Sequence, residues 1–337
     1  MIKVVITTSL THSQAVKVLI MAAALWPAAT GLKAADASLY HVDPAKVQGT
    51  ENCAECHAPM VEALKLTHHY NTYLTTHQGD DAKRILSKLG IRRMKAESLC
   101  LKCHYTSQGS GDAIKAISGI SCESCHAAAA DWNKAHSNKD DPDRLIKAEK
   151  LGLLRPNNYY FVAANCFSCH TVPEEKLVNV GGHTAGSDFE LVAWSQGEVR
   201  HNLQKSAGKA NAEATLPVKR MLYIVGRALD LEYGLRGMAG ATQPGTFAES
   251  MTKRVETAKS KFKEIHQVLK DNVTQQILEA ASGVELKINN SESLIQAAEK
   301  IAAVTRTFSA SNYGAGFAAI DPLLPQADQF KGKVYTP

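Results

Sequence analysis

The chain repeats one short motif four times: Cys53-Ala-Glu-Cys56-His57, Cys100-Leu-Lys-Cys103-His104, Cys122-Glu-Ser-Cys125-His126 and Cys166-Phe-Ser-Cys169-His170. The two thiols of each motif lie on one helical turn, where each can add across a haem vinyl group. The histidine that follows is then held against the iron as its proximal ligand. The repeat therefore predicts four covalently attached c-type haems, here numbered haem 1 to haem 4 in chain order.

A single Cys-x-x-Cys pair is also compatible with zinc binding, thiol redox chemistry or a disulfide. All eight cysteines of this chain fall in the four motifs, and only 13 of the 337 residues are histidines. Four chance histidines directly after the four pairs are therefore not expected. The sequence favours haem attachment over the other uses of cysteine.

The N-terminus has the pattern of an export signal. Lys3 gives a positive start, residues 16–32 are mostly apolar, and small residues follow them. Pro27 interrupts an apolar run that is shorter than the roughly 20 residues a membrane span needs. We therefore predict a signal peptide at residues 1–34 and a periplasmic protein with no membrane span after cleavage. An uncleaved N-terminal anchor and an extracellular location stay open as alternatives.

The net charge argues against a nucleic-acid partner. The formal charge of +5 falls to about +2 when Lys3, Lys17 and Lys33 leave with the signal peptide. Each ferric haem with neutral axial ligands adds about one net negative charge, because its two propionates outweigh the charge at the iron. The oxidised holoprotein is therefore expected near −2, so the basic sequence does not indicate nucleic-acid binding.

Histidines outside the motifs are candidates for the sixth ligand of each iron. His68 and His69 lie in a predicted helix at residues 61–76, and we expect one of the two to bind iron. His77 follows this helix as a further candidate. The next predicted helix, at residues 80–96, is basic; its charges form a solvated face or a site for haem propionates or an acidic redox partner.

Three more histidines lie farther along the chain. His136 comes ten residues after His126 and is therefore expected to point toward a haem other than haem 3. His183 follows a Gly-Gly turn, where the backbone can approach a flat cofactor. His201 is expected on a helix at residues 189–203.

The predicted fold is mainly α with little regular sheet. Residues 35–203 are expected to form a tetrahaem cytochrome c domain. Residues 204–310 are expected to form a helical bundle or hairpin, because apolar residues from Phe247 to Leu269 recur at spacings of three and four. Residues 311–337 are expected to be an irregular C-terminal tail. The helical region could serve as an oligomer contact, a partner dock or a buttress.

Two stretches carry a family resemblance. Thr67-x-His69 begins ten residues after His57, and Gly119-Ile-Ser-Cys-Glu-Ser-Cys-His is followed ten residues later by His136. Over about residues 50–203 these elements resemble the cytochrome c-554 family of periplasmic tetrahaem electron carriers, which are known as acceptors for hydroxylamine oxidoreductase. The resemblance implies haems in closely stacked pairs.

The resemblance also implies distal ligands for three haems: His136 for haem 1, His69 for haem 3 and His201 for haem 4. Haem 2 is five-coordinate in the family's type member. In this chain we expect His183 to close haem 2, with His68 and His77 as alternatives.

These observations predict an electron-transfer protein that relays electrons between redox enzymes and respiratory carriers. Its expected partners are redox proteins, such as a multihaem oxidoreductase or a quinone-linked cytochrome, and no catalytic residue is assigned. The alternative is a reductase of nitric oxide, nitrite or hydroxylamine at an open haem 2. A subunit of an extracellular cytochrome filament is a further alternative.

Overall fold

The computed structural model describes residues 42–337. The predicted signal peptide at residues 1–34 lies outside the described residues. The prediction of a mainly helical chain is confirmed. The described elements are α1 (Thr50–Lys65), α2 (His68–Thr75), α3 (Asp80–Leu89), α4 (Ser98–His104), β1 (Thr106–Gln108), β2 (Lys115–Ser118), α5 (Cys122–His126), α6 (Asn133–Ser137), α7 (Arg144–Lys150), α8 (Tyr159–His170), α9 (Glu175–Asn179), α10 (Leu191–Ser195), α11 (Leu216–Ala239), α12 (Thr246–Leu269), α13 (Asn272–Ser282) and α14 (Ser291–Ser311).

A small hairpin connects the second motif to the third. Strands β1 and β2 pair antiparallel, with Thr106 opposite Ser118. The Thr106 hydroxyl also contacts the hydroxyls of Ser121 and Ser124 at 2.9 and 2.7 Å. These contacts hold the start of α5, which carries the third motif, beside the end of the second motif.

The C-terminal helices pack around α11. This helix contacts α8, α10, α12 and α14, and most of its side chains are therefore buried. On α12 the buried residues recur at the predicted spacings of three and four: Phe247, Met251, Val255, Ala258, Phe262 and Ile265. Helix α12 approaches α11 closely at Gly237, where a Cβ atom would lie 2.5 Å from Met251 Sδ.

One hydrophobic core joins these helices to α8, which carries the fourth motif. Tyr160 and Phe167 of α8 are each 1% exposed and pack in the same core as α11 and α12. The Tyr160 hydroxyl donates a 2.8 Å hydrogen bond to the buried Glu232 carboxylate, which also accepts a 2.9 Å bond from Arg236. The C-terminal helices therefore support the fourth motif directly.

Two predicted helices are shorter or broken in the structure. The helix expected at residues 61–76 is two helices, α1 and α2, because the Thr67 side chain accepts from Tyr70 N and caps a new helix start. The basic helix expected at residues 80–96 ends at Leu89, where Gly90 adopts a left-handed conformation.

The helix expected at residues 189–203 covers only residues 191–195 as α10, and His201 lies beyond it. The C-terminal tail is the reason. Lys331 N donates to Ala193 O at 3.0 Å, and Glu198 N donates to Lys331 O at 2.8 Å. The tail thus occupies backbone groups that would otherwise continue the helix.

Candidate haem sites

Each motif forms one helical turn with its histidine at a break in the helix. His104, His126 and His170 are the last residues of α4, α5 and α8. His57 lies inside α1 but has non-helical backbone angles, with φ −120° and ψ 32°. None of the eight cysteines is in a disulfide.

Every motif histidine faces one histidine from outside the motifs. His57 lies 6.0 Å from His136 between ring centroids, and His69 lies 6.0 Å from His170. The other two pairs are both 6.3 Å apart: His104 with His183, and His126 with His201. The eight predicted iron ligands are therefore brought together two by two.

These separations fit an iron between the two rings. An imidazole nitrogen binds a first-row transition metal at about 2 Å, so two imidazoles on opposite sides of one metal have centroids roughly 6 Å apart. Rings in direct stacking contact would be closer. No group of three or more His, Cys, Asp or Glu side chains suited to hold a metal ion occurs within residues 42–337. Each histidine pair supplies the two ligands that a six-coordinate haem iron takes from the protein.

The pairing corrects two of the assignments implied by the resemblance. His136 faces the haem 1 histidine, as implied. The implied assignment of His69 to haem 3 and of His201 to haem 4 is wrong, because His69 faces His170 of the fourth motif and His201 faces His126 of the third.

The packing of α2 explains why His69 faces the fourth motif and not the third. The His69 carbonyl accepts a 2.9 Å hydrogen bond from Ile120 N, which holds α2 against the segment before the third motif. Gly119 lies at this contact, and a Cβ atom there would be 2.5 Å from the His69 carbonyl oxygen. The Thr72 hydroxyl lies 2.7 and 2.6 Å from the His69 and His104 carbonyl oxygens and can donate its one hydrogen to either. The backbone of α2 is thus fixed so that the His69 ring reaches the fourth motif.

Hydrogen bonds fix the ring orientation at four of the eight histidines. The Nδ1 atoms of His126, His183 and His201 donate to backbone carbonyls at distances of 2.7, 2.8 and 2.7 Å. His170 Nδ1 contacts the Ser187 hydroxyl at 3.1 Å. A proton on Nδ1 leaves the Nε2 lone pair free to bind a metal.

Burial keeps most of these imidazoles neutral. It lowers the pKa of His104 and that of His170 to about 4 each. Burial also lowers the pKa of His69, His126 and His136. A neutral imidazole is the form that binds a metal.

The motif cysteines lie close to one another across motifs. The Cys122 thiol lies beside that of Cys53, and this interaction, together with burial, raises the pKa of Cys53. The Cys169 thiol donates to the Lys102 carbonyl of the second motif at 3.8 Å, and its interaction with the Cys103 thiol, together with burial, raises the pKa of Cys103. Cys125 lies close enough to Cys169 for their charges to interact. The first motif therefore adjoins the third, the third adjoins the fourth, and the fourth adjoins the second.

Glu123, inside the third motif, is a structural residue that the sequence did not single out. Its carboxylate is 1% exposed and accepts hydrogen bonds from three backbone amides. These are Gln48 N at 2.9 Å, Gly49 N at 2.7 Å and Ala129 N at 2.7 Å. It joins the chain before α1 to the third motif. The first motif also has a glutamate between its cysteines, Glu55, which is exposed, so this sequence feature alone did not reveal the role of Glu123.

The remaining histidine candidates do not face a motif histidine in this way. His68 is exposed, and its backbone N and Nδ1 both contact the buried Glu198 carboxylate. His77 has a buried Nδ1 without a hydrogen-bond partner. Of the three candidates, only His183 lies opposite His104 in the structure.

No helix within residues 42–337 has the length and apolar character needed to cross a membrane.

Residues 52–127, which contain the first three motifs, match the family model described as cytochrome c554 and c-prime. No curated protein and no solved structure gave a match. Over residues 52–127 the chain is therefore similar to the cytochrome c554 and c-prime family, and it is a multihaem cytochrome with covalently bound haem c.

Proposed function

We propose that the protein is a periplasmic tetrahaem cytochrome that relays electrons between redox enzymes and respiratory carriers. The observation that carries this proposal is the set of four histidine pairs, each 6.0–6.3 Å apart, with one member from each Cys-x-x-Cys-His motif. Four such pairs would give four irons two histidine ligands each. Imidazole in place of a methionine ligand favours low reduction potentials.

The contacts between motifs support a linear order of the haems. The proximity of Cys53 to Cys122 supports haems 1 and 3 as one close pair, and the proximity of Cys169 to Cys103 and Lys102 supports haems 2 and 4 as another. Cys125 and Cys169 connect the two pairs. The proposed relay therefore runs through haems 1, 3, 4 and 2, with haems 1 and 2 at its ends.

Bound haems would supply the one-electron chemistry, and the protein would hold their histidine ligands in place. Carbonyl acceptors hold the Nδ1 proton on His126, His183 and His201, so that Nε2 stays oriented toward the ligand position. The Gly119 and Thr72 contacts hold His69 in place through its backbone. Two fixed imidazoles at each iron suit a carrier, because little has to move when an electron arrives or leaves.

His183 supports the relay over a reductase with an open haem 2. Its ring lies 6.3 Å from His104, where it would occupy the position at which nitric oxide, nitrite or hydroxylamine would bind. The periplasmic location rests on the predicted signal peptide and on covalent haem attachment, which takes place outside the cytoplasm. The partners we propose are redox proteins.

The haem count tests this proposal. Denaturing mass spectrometry of the purified protein should give the mass of a polypeptide cleaved near residue 34 plus four haems. A reductive titration should then take up four electrons per chain. A smaller number of haems, bound zinc or an uptake of fewer than four electrons would contradict the tetrahaem relay.

A further inference from the structure

The surface formed by α3 and the loop after it carries concentrated positive charge. Residues 80–96 contain six basic side chains against Asp80 and Asp81. We call the six the basic patch: Lys83, Arg84, Lys88, Arg92, Arg93 and Lys95. All of them except the half-buried Lys95 are exposed. The patch stands out on a protein whose oxidised holoform is expected to be close to neutral.

The basic patch is only partly neutralised by the protein. Lys83 and Arg84 form exposed ion pairs with Asp80 and Asp81, one helical turn away, each 3.0 Å long. Within residues 42–337, Lys88, Arg92 and Arg93 form no ion pair. Exposed pairs contribute little to stability, and three cations without a protein ion pair on one surface repel one another. Fold stability therefore does not explain this arrangement.

The apolar side of α3 packs on the proposed haem 2 site. Ala82 and Leu86 pack against the cluster that contains Cys100 of the second motif and Tyr105, the residue after His104. The neighbouring turn that leads to His183 also contacts α3. A Cβ atom at Gly181 would lie 3.1 Å from Leu89 Cδ1, and one at Gly182 would lie 3.1 Å from Lys88 Nζ.

The opposite end of the proposed relay has the opposite charge. Around the first motif, Glu51, Glu55 and Glu62 are exposed, and Lys65 pairs with Glu51 at 3.0 Å. Residues 43–65 contain four acidic and two basic side chains. The two ends of the relay would therefore attract partners of different charge.

We propose that the basic patch is the docking surface for an acidic redox protein that exchanges electrons with haem 2. This inference rests on the proposed function. In each exchange one electron passes between the partner's redox centre and the iron held by His104 and His183, so that one is oxidised as the other is reduced. No bond forms or breaks. The exposed Val180, just before the turn to His183, offers apolar contact beside the basic side chains.

A charge-reversal experiment tests the docking surface. Reduction of the oxidised holoprotein is followed by stopped flow, with a reduced plant-type ferredoxin as the acidic donor and hexaammineruthenium(II) as a small cationic donor. The test variant is Lys88→Glu with Arg92→Glu. The control variant is Lys263→Glu with Lys300→Glu, which makes the same change in net charge at exposed positions on α12 and α14.

We expect the test variant to lower the second-order rate constant with ferredoxin by on the order of tenfold at low ionic strength. The difference should vanish at about 0.5 M salt, where the Debye length is only a few ångströms. The control variant should change the rate much less, and hexaammineruthenium(II) should not be slowed by either change. Equal effects of the two double variants, or a loss that salt does not remove, would overturn the docking proposal.

The failure of the docking proposal can be told apart from the failure of the proposed function. The haem count and the low-spin absorption spectrum of each variant are measured before the kinetics. Four low-spin haems with no specific effect at the basic patch would refute only the docking surface. Fewer than four haems in the unmodified protein would refute the proposed function itself.

Discussion

Replacing Glu123 by alanine is expected to lower the free energy of unfolding by about 3 to 5 kcal/mol. The carboxylate is 1% exposed and accepts from three backbone amides, at Gln48, Gly49 and Ala129. Each amide that loses its acceptor costs about 1 to 3 kcal/mol when it cannot reach water. Removal of the buried charge also removes its desolvation cost, which limits the total loss.

The conservative variant Glu123→Gln is expected to lower the free energy of unfolding less than Glu123→Ala does. Glu123→Gln keeps one oxygen for Gln48 N and Ala129 N, both of which bond to Oε1, and loses the acceptor of Gly49 N. We therefore expect a loss of about 1 to 3 kcal/mol, smaller than that of the alanine variant. Glu55→Ala is the matched control, because Glu55 lies between the two cysteines of the first motif but is exposed. It should change stability by less than about 0.5 kcal/mol.

The measurement is equilibrium unfolding in guanidinium chloride, followed by circular dichroism of the peptide and haem bands. Mass spectrometry first establishes that all samples carry the same number of haems, so that the midpoints can be compared. A loss below about 1 kcal/mol in the Glu123→Ala protein, or a loss equal to that of the Glu55 control, would refute the reasoning.

Three further changes test other contacts. Gly119→Ala would place a Cβ atom 2.5 Å from the His69 carbonyl oxygen, so we expect one haem to become partly high-spin by magnetic circular dichroism; an unchanged spectrum would count against this contact. Tyr160→Phe removes the 2.8 Å hydrogen bond to the buried Glu232, and the free energy of unfolding should fall by about 1 to 3 kcal/mol in thermal denaturation. His183→Ala should give one high-spin haem that binds carbon monoxide after reduction, and a fully low-spin variant would show that another residue closes that iron.

Haem attachment could be predicted from the sequence because it requires a fixed local pattern of residues. The Cys-x-x-Cys-His motifs and the Gly-Gly turn before His183 are local signals, and the structure places each motif histidine opposite one of the predicted partners. The buried face of α12 could be predicted for the same reason, since the spacing of its apolar residues is a property of that one helix.

The errors concern contacts between distant parts of the chain. The partner of His69 depends on how Gly119 packs against α2, and the distance along the sequence to a given motif does not reveal that contact. The helix expected up to residue 203 stops early because Lys331, more than one hundred residues later, binds the backbone at Ala193 and Glu198. The role of Glu123 likewise depends on amides that come from two other segments.

Ligation of all four irons by two histidines is the central claim, and electron paramagnetic resonance of the oxidised holoprotein tests it most directly. We predict four low-spin ferric signals and no reaction with carbon monoxide after full reduction, because His183 lies 6.3 Å from His104, where we propose that it closes haem 2. A high-spin ferric signal from one haem, together with carbon monoxide binding by the reduced protein, would contradict the claim and would support a reductase with an open haem 2.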